Sequence, residues 1–134
     1  MIKTKLLLPE IAGRIRETRF PEVDLVVGIA SGGVVPASLV AFHLNKPLEV
    51  VAINYRDEEN NPRYDTPQLL KGIGEPIAGK HILLVDDVSV TGKTLIAAKD
   101  LFDDCEVTTF VLKGQADISL FPEVATCVDW PWKK

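Results

Sequence analysis

The sequence predicts an α/β protein with a doubly wound, mostly parallel sheet. Apolar runs rich in β-branched residues alternate with segments of helical periodicity, and turns rich in glycine or hydroxyl side chains follow two of those runs. An alternation of this kind pairs the strands in parallel through crossover connections. Ligands of such sheets bind beyond the carboxyl ends of the strands, so both turns are candidates for function.

The first half of the chain supplies a helix, a strand and a second helix. Leu8–Arg19 carries apolar residues at the i, i+3, i+4, i+7 spacing of a surface helix. Leu25–Ala30 is a continuous apolar run that predicts a buried strand, and the turn Ser31–Gly33 follows it. Pro36 suits the first turn of the next helix, which we expect to end near Leu44.

The second half repeats the alternation. We predict strands at Leu48–Tyr55, at Ile82–Val85 with the acids that follow, and at Glu106–Leu112, with a helix at Leu95–Phe102. Arg56–Lys80 separates the first two of these strands by about 25 residues rich in polar residues, proline and glycine. Compact domains rarely keep so long a connection without a function, so we interpret it as an active-site loop; a plain solvated excursion is the alternative.

Length and composition bound the class of protein. At 134 residues and a net charge of −4, we expect one domain that does not coat nucleic acid, since such proteins usually carry a basic surplus. No apolar stretch approaches the roughly 18 residues of a membrane span, and the start of the chain does not resemble a signal peptide, so we expect a cytoplasmic protein. The two cysteines, Cys105 and Cys127, are expected to be reduced and largely buried.

The most specific segment joins two acids to a small-residue turn. Asp86 and Asp87 follow a buried strand, where their mutual repulsion requires a compensating partner such as a sugar diol or Mg²⁺. Ser89–Thr94 then leads into a helix, whose first backbone N–H groups can converge on a phosphate. A nucleotide P-loop is excluded, because its first glycine would fall at Asp87. The alternative is a strand with two surface acids and an ordinary capped helix.

Val85–Thr94 resembles the phosphoribosyl pyrophosphate (PRPP) binding motif of the type I phosphoribosyltransferases. That motif has an apolar strand, two acids and a Thr-Gly-x-Thr phosphate loop. The resemblance implies that Asp86 and Asp87 are the catalytic acids, approach the ribose hydroxyls and hold Mg²⁺. It also assigns the 5′-phosphate to one run of residues: Ser89, Val90, Thr91, Gly92, Lys93 and Thr94.

A second segment strengthens the resemblance. Val27–Ala37 is similar to the family's pyrophosphate loop, which also lies between the first core strand and a helix. By that likeness Ser31, Gly32 and Gly33 bind pyrophosphate. The long connection, beginning near Asn54, falls where the family keeps a flexible lid. The resemblance implies a single domain over residues 1–134, with its core at about 8–113, a flexible loop at 56–80 and a small hood at about 114–134.

Within the family the sequence is most similar to the small xanthine, guanine and hypoxanthine phosphoribosyltransferases. Lys113 ends the fourth strand, where those enzymes place a lysine that donates to the purine 6-oxo group, and the tail Val128–Lys134 resembles their aromatic-Pro-Trp ending. The implied base contacts are Lys113, Val128 and Trp130. Alternatively, Lys113 is a solvated charge, and Trp130 and Trp132 anchor the chain's end or a dimer face.

Two positions depart from the purine pattern. Val90 stands where purine members carry a third acid that attends N7 of the base, and valine exchanges no proton. Ser31 stands where purine relatives often have a basic residue, so pyrophosphate would depend more on backbone N–H groups and Mg²⁺.

The resemblance therefore implies a Mg²⁺-dependent phosphoribosyltransferase of purine salvage. It would transfer the 5-phosphoribosyl group from PRPP to a 6-oxopurine, release pyrophosphate and act as a homodimer, with no nucleic-acid or membrane partner. Val90 supports the alternative of a non-catalytic PRPP-binding regulator that keeps the fold. A plain α/β interaction module is the third reading.

Overall fold

A computed structural model of the chain describes residues 3–54, 68–71 and 77–133. Its helices are α1 (Leu8–Glu17), α2 (Val34–Leu44) and α3 (Lys93–Asp100). Its strands are β1 (Thr4–Lys5), β2 (Leu25–Ala30), β3 (Leu48–Asn54), β4 (Gln68–Lys71), β5 (His81–Ser89), β6 (Glu106–Gly114), β7 (Ile118–Ser119) and β8 (Val128–Asp129).

Six strands form one sheet in the order β4-β3-β2-β5-β6-β7. Every neighbouring pair is parallel except β3 and β4, which run antiparallel. The predicted doubly wound, mostly parallel α/β class is confirmed. Because β2 and β5 are adjacent and parallel, their carboxyl ends meet at one edge of the sheet.

The apolar core lies on both faces of this sheet. Alternate residues of each strand point to opposite faces, so Val26 and Val85 pack with α1 and α2, whereas Val27 and Leu84 pack with α3. All four side chains are fully buried. The continuous apolar runs of β2 and β5 are therefore explained by a sheet that is covered on both sides.

The start and end of the described chain are joined. β1 and β8 form a two-stranded parallel ladder, in which the Thr4 amide donates to the Cys127 carbonyl at 2.8 Å. Arg14 of α1 pairs with Glu123 at 2.5 Å and lies over the Phe121 ring, 4.2 Å from its centre. The segment predicted as a C-terminal hood is thus held in place by β1 and α1.

The predicted elements are present with shifted bounds. β5 includes Asp86 and Asp87, as predicted, and continues beyond them to Ser89, because β6 pairs with it as far as Gly114. α1 ends at Glu17, and α3 begins at Lys93, two residues earlier than predicted. Most of the predicted loop Arg56–Lys80 lies outside the described residues, as does Tyr55; β4 occupies part of it.

The prediction of two largely buried cysteines was wrong. Cys105 is half-buried and Cys127 is exposed, and neither forms a disulfide. Cys127 precedes β8, which pairs only with the two-residue β1 among the described strands and has no second sheet to cover it.

Candidate functional site

The turn after β2 packs against the acids of β5. Gly32 lies so close to Asp87 that a Cβ atom at position 32 would stand 2.5 Å from Asp87 Oδ2. A Cβ atom at Gly33 would stand 2.5 Å from the Val85 carbonyl oxygen. Only glycine fits at either position without displacement. The structure therefore brings the predicted pyrophosphate residues and the acid pair together.

The two carboxyl groups share a partly desolvated environment. The Asp87 amide donates to Asp86 Oδ1 at 2.8 Å, and the Val88 amide donates to Asp87 Oδ1 at 2.8 Å. Burial, followed by the negative charge of Asp87, raises the pKa of Asp86 to about 8. Ionising Asp86 is therefore unfavourable in the free chain, so the arrangement favours a cationic or hydrogen-bonding ligand.

The turn after β5 borders a cavity of about 300 Å³, lined by Asp86, Val88 and residues 89–95. Gly92 is the N-cap of α3 and adopts the left-handed region with φ 80°. Because glycine has no side chain, no side-chain oxygen of the N-cap residue satisfies the amides at the start of α3. Helix N-termini with open amides are common sites for phosphate.

Ser89 and Thr91 are the two further polar residues of this turn that bear on ligand binding. Ser89 is one of the residues that line the cavity and is 6% exposed, and its buried Oγ has no hydrogen-bond partner among the described residues. Buried hydroxyl groups are normally paired, so an oxygen-rich ligand would complete it. The Lys93 amide donates to Thr91 Oγ1 at 3.3 Å, which orders the turn. The side chain of Val90, between these polar residues, is 80% exposed.

The three predicted base contacts are all engaged with other parts of the chain. Lys113 donates from Nζ to the Thr126 carbonyl at 2.6 Å, so it is engaged with the chain's own tail. Trp130 is 2% exposed and stacks on Trp132, with ring centres 5.3 Å apart. Val128 lies in β8 and packs on the core. This packing favours the alternative of an aromatic anchor over a Trp130 that stacks on a base.

The donor set suits Mg²⁺ that is shared with a ligand. Within residues 3–54, 68–71 and 77–133, no three His, Cys, Asp or Glu side chains cluster as a metal site. Asp86 and Asp87 remain, and Mg²⁺ is typically held by one or two carboxylates together with substrate phosphates. The two residues therefore fit a metal that needs oxygen atoms from a phosphorylated ligand to complete its coordination.

Membrane insertion has no support in the helices. None of those in the described part of the chain is long and apolar enough to cross a bilayer.

Over residues 3–116 the sequence matches the phosphoribosyl transferase domain family. The chain belongs to this family. The resemblance drawn from the two loops is confirmed, and the loops of this phosphoribosyl transferase domain lie together at the carboxyl ends of β2 and β5, as the sequence predicted.

The relatives that this phosphoribosyl transferase domain matches in sequence include an enzyme and a transcriptional regulator. It is 38% identical over 77 residues to orotate phosphoribosyltransferase of Pyrobaculum aerophilum, covering 58% of the chain and 36% of that protein. It is 36% identical over 89 residues to transcriptional regulator GfcR 2 of Methanosarcina barkeri, covering 66% of the chain and 42% of that protein. The chain thus spans less than half the length of either relative.

A solved structure supports the fold over the whole chain. Purine phosphoribosyltransferase from Pyrococcus horikoshii superposes with a TM-score of 0.72 at 24% identity, covering 100% of this chain and 96% of that one. At this identity the likeness concerns the architecture alone.

Two residues near the acids and the turn after β5, Lys133 and Gly114, were not predicted as site residues from the sequence. Lys133 reaches the acid pair, with its Nζ 3.3 Å from Asp87 Oδ2, from a part of the chain 46 positions away in the printed sequence. Gly114 has φ 109°, and a Cβ atom there would stand 1.9 Å from the Ser89 carbonyl oxygen. Gly114 had a signal in the sequence, a glycine at a strand end, but Lys133 had none.

Proposed function

We propose that this chain is a Mg²⁺-dependent phosphoribosyltransferase that transfers the 5-phosphoribosyl group of PRPP to a 6-oxopurine and releases pyrophosphate. The observation that carries the proposal is the packing of Gly32 against Asp87, whose neighbour Asp86 lines the cavity at the start of α3. PRPP carries a diphosphate, a ribose diol and a 5′-phosphate, and this edge of the sheet offers one group of residues for each.

The proposal assigns the 5′-phosphate to the turn after β5. Its ligands would be the open amides at the start of α3 and the hydroxyl groups of Ser89, Thr91 and Thr94, with Val90, Gly92 and Lys93 as the rest of the turn. The unpartnered Ser89 Oγ supports this assignment, because a phosphate oxygen would accept its hydrogen bond.

The diphosphate is assigned to the amides of Ser31, Gly32 and Gly33. The absence of side chains at the two glycines lets a large anion approach the backbone next to Asp87. Amides fixed in this way can stabilise negative charge that develops on the leaving pyrophosphate as its bond to the ribosyl carbon breaks.

Asp86 and Asp87 would bind the ribose hydroxyls and favour the positive charge that develops on the ribosyl carbon as its bond to pyrophosphate breaks; the electron pair of the base nitrogen then forms the new bond and removes that charge. The same carboxylates would hold Mg²⁺, which supplies charge neutralisation for the diphosphate. Most of the rate enhancement in this scheme comes from positioning and electrostatics, so a missing third acid at position 90 need not abolish it.

The base pocket is assigned to Lys113, Val128 and Trp130. Lys113 Nζ would exchange its hydrogen bond to the Thr126 carbonyl for one to a 6-oxo group. Val128 is at the edge of the β1–β8 ladder. The single-domain organisation over 1–134, the homodimer and the cytoplasmic location stay predictions.

The direct experiment is incubation with PRPP, Mg²⁺ and a panel containing xanthine, guanine, hypoxanthine, adenine and orotate. We expect nucleotide and pyrophosphate in equal amounts with a 6-oxopurine. Turnover of orotate alone would overturn the choice of base, and binding of PRPP without turnover of any base would overturn the enzyme assignment.

The second candidate is a PRPP-binding regulator that keeps the fold. Val90 is 80% exposed where the purine pattern has an acid, and one of the two sequence relatives described above, matched over 66% of this chain, is named a transcriptional regulator. The variant Val90→Asp separates the two. An enzyme whose base chemistry is limited by this position should gain about 10²–10⁴-fold in turnover, the usual contribution of acid-base catalysis, whereas a regulator should gain none.

A further inference from the structure

The tail of the chain places a cation on the acid pair. Lys133 Nζ lies 3.3 Å from Asp87 Oδ2, and the same carboxylate is the group against which Gly32 packs. Among the described residues, Lys133 is the one cationic side chain within 4 Å of either acid. The ammonium group therefore stands where the turn after β2 meets β5.

Apart from Lys133, the described residues supply no positively charged side chain where the turn Ser31–Gly33 meets the acid pair. PRPP is a polyanion, and its diphosphate would approach the Asp87 carboxylate, whose negative charge repels it unless a cation neutralises it. The turn itself carries no cation, because its first residue is Ser31 followed by Gly32 and Gly33. Backbone amides supply only partial charges, so a full positive charge next to them would strengthen the binding of a diphosphate considerably.

The position of Lys133 is fixed by the residues before it. Trp130 is 2% exposed and stacks on Trp132, and the Lys133 amide donates to the Trp130 carbonyl at 3.1 Å. The β1–β8 ladder holds the tail immediately before this pair. The backbone is thus anchored one residue away, while the Lys133 side chain stays 55% exposed and free to turn from Asp87 toward an incoming anion.

We propose that Lys133 is a diphosphate-binding residue, which supplies from the tail the positive charge that the turn Ser31–Gly33 lacks. The inference rests on the proposed function, since it requires PRPP as ligand. In the free chain Lys133 neutralises Asp87, and in the complex its ammonium group donates to a diphosphate oxygen. The tail then contributes to binding the leaving group.

Calorimetry with three ligands in the presence of Mg²⁺ tests the proposal. PRPP and pyrophosphate carry the diphosphate, whereas ribose 5-phosphate carries only the 5′-phosphate. For Lys133→Met we expect PRPP and pyrophosphate to bind about tenfold more weakly or worse, the effect of one charged hydrogen bond. Ribose 5-phosphate should bind as it does to the unaltered chain. Lys133→Arg should restore most of the lost affinity.

The control is Lys99→Met, which removes one positive charge from the exposed end of α3 and should leave all three affinities unchanged. Three results overturn the proposal: equal affinities for Lys133→Met and the unaltered chain, tighter PRPP binding by Lys133→Met, or a parallel loss of ribose 5-phosphate that indicates a merely structural tail. In each of these the unaltered chain still binds PRPP, so the proposed function survives. Failure of the unaltered chain to bind PRPP would overturn both.

Discussion

The turns that follow β2 and β5 serve the same edge of the sheet but are built in different ways. In the first, Gly33 is enclosed by backbone, since a Cβ atom would stand 2.5 Å from the Val85 carbonyl oxygen and 2.7 Å from the Ile29 carbonyl oxygen. In the second, Gly92 is required by its φ of 80°, and the nearest atom to a Cβ would be Ile96 Cδ1 at 3.9 Å. One turn is fixed by packing and the other by backbone conformation.

This difference separates a rigid part of the site from an adaptable one. A loop enclosed by backbone atoms cannot move without disturbing β2 and β5, so its amides are held in place before any ligand arrives. The turn after β5 is open to solvent on one side and can adjust around a phosphate. Substitutions in the two turns should therefore differ in their cost to stability.

The largest effect is expected for Gly33→Ala. The new methyl group meets three backbone atoms within 3 Å, which cannot rotate away as a side chain can. We expect a loss of about 3 kcal/mol or more in the free energy of unfolding, measured by urea denaturation. Gly13→Ala is the matched control, because Gly13 lies in α1 and a Cβ atom there would stand at an ordinary contact distance, 3.8 Å, from Arg16 Nη2, so alanine should stabilise the chain. A loss below about 1 kcal/mol for Gly33→Ala would refute the packing argument.

The second effect concerns Asp86, which lies between the two turns. Its folded-state pKa of about 8 exceeds the ordinary value of 3.8, so the folded chain binds this proton more tightly than the unfolded chain does. The protonated Asp86 carboxyl group makes its full contribution to the free energy of unfolding at pH values below 3.8. This contribution is lost as the pH rises toward about 8. Asp86→Asn cannot ionise and should be more stable than the unaltered chain at pH 8, by at least about 1 kcal/mol, with a smaller difference at pH 5.

Urea denaturation at the two pH values measures this difference. Asp103→Asn removes an exposed carboxylate and should show no comparable gain. Equal stability of Asp86→Asn and the unaltered chain at pH 8 would contradict the desolvation of this carboxyl group.

The smallest effect is expected for Gly92→Ala. Space is available for the methyl group, so the cost is that of placing alanine in the left-handed region, about 1 kcal/mol. Urea denaturation should place this variant between the unaltered chain and Gly33→Ala. A loss as large as that of Gly33→Ala would show that both turns are fixed by packing and would remove the distinction between them.

The same contrast explains what the sequence could predict. Buried parallel strands need continuous apolar runs, so Leu25–Ala30 was predicted with its exact bounds, and the acids and turns follow the strands locally. The extension of β5 to Ser89 depends on pairing with β6, a tertiary contact that no local pattern reports.

The tail was less predictable for a physical reason. β1 and β8 have two residues each, too few for any periodicity, and the burial of Trp130 depends on the path of the chain around the core. The contact of Lys133 with Asp87 follows from that path alone, because a lysine near a chain's end has the same local pattern whether it is solvated or bound.

The most direct test of the account is calorimetric titration of PRPP with Mg²⁺ into the unaltered chain and into the double variant Asp86→Asn, Asp87→Asn. We expect Mg²⁺-dependent binding to the unaltered chain and its loss in the double variant, with a urea transition that shows the variant still folded. Equal, Mg²⁺-dependent binding by both proteins would contradict the assignment of PRPP to the acids of β5.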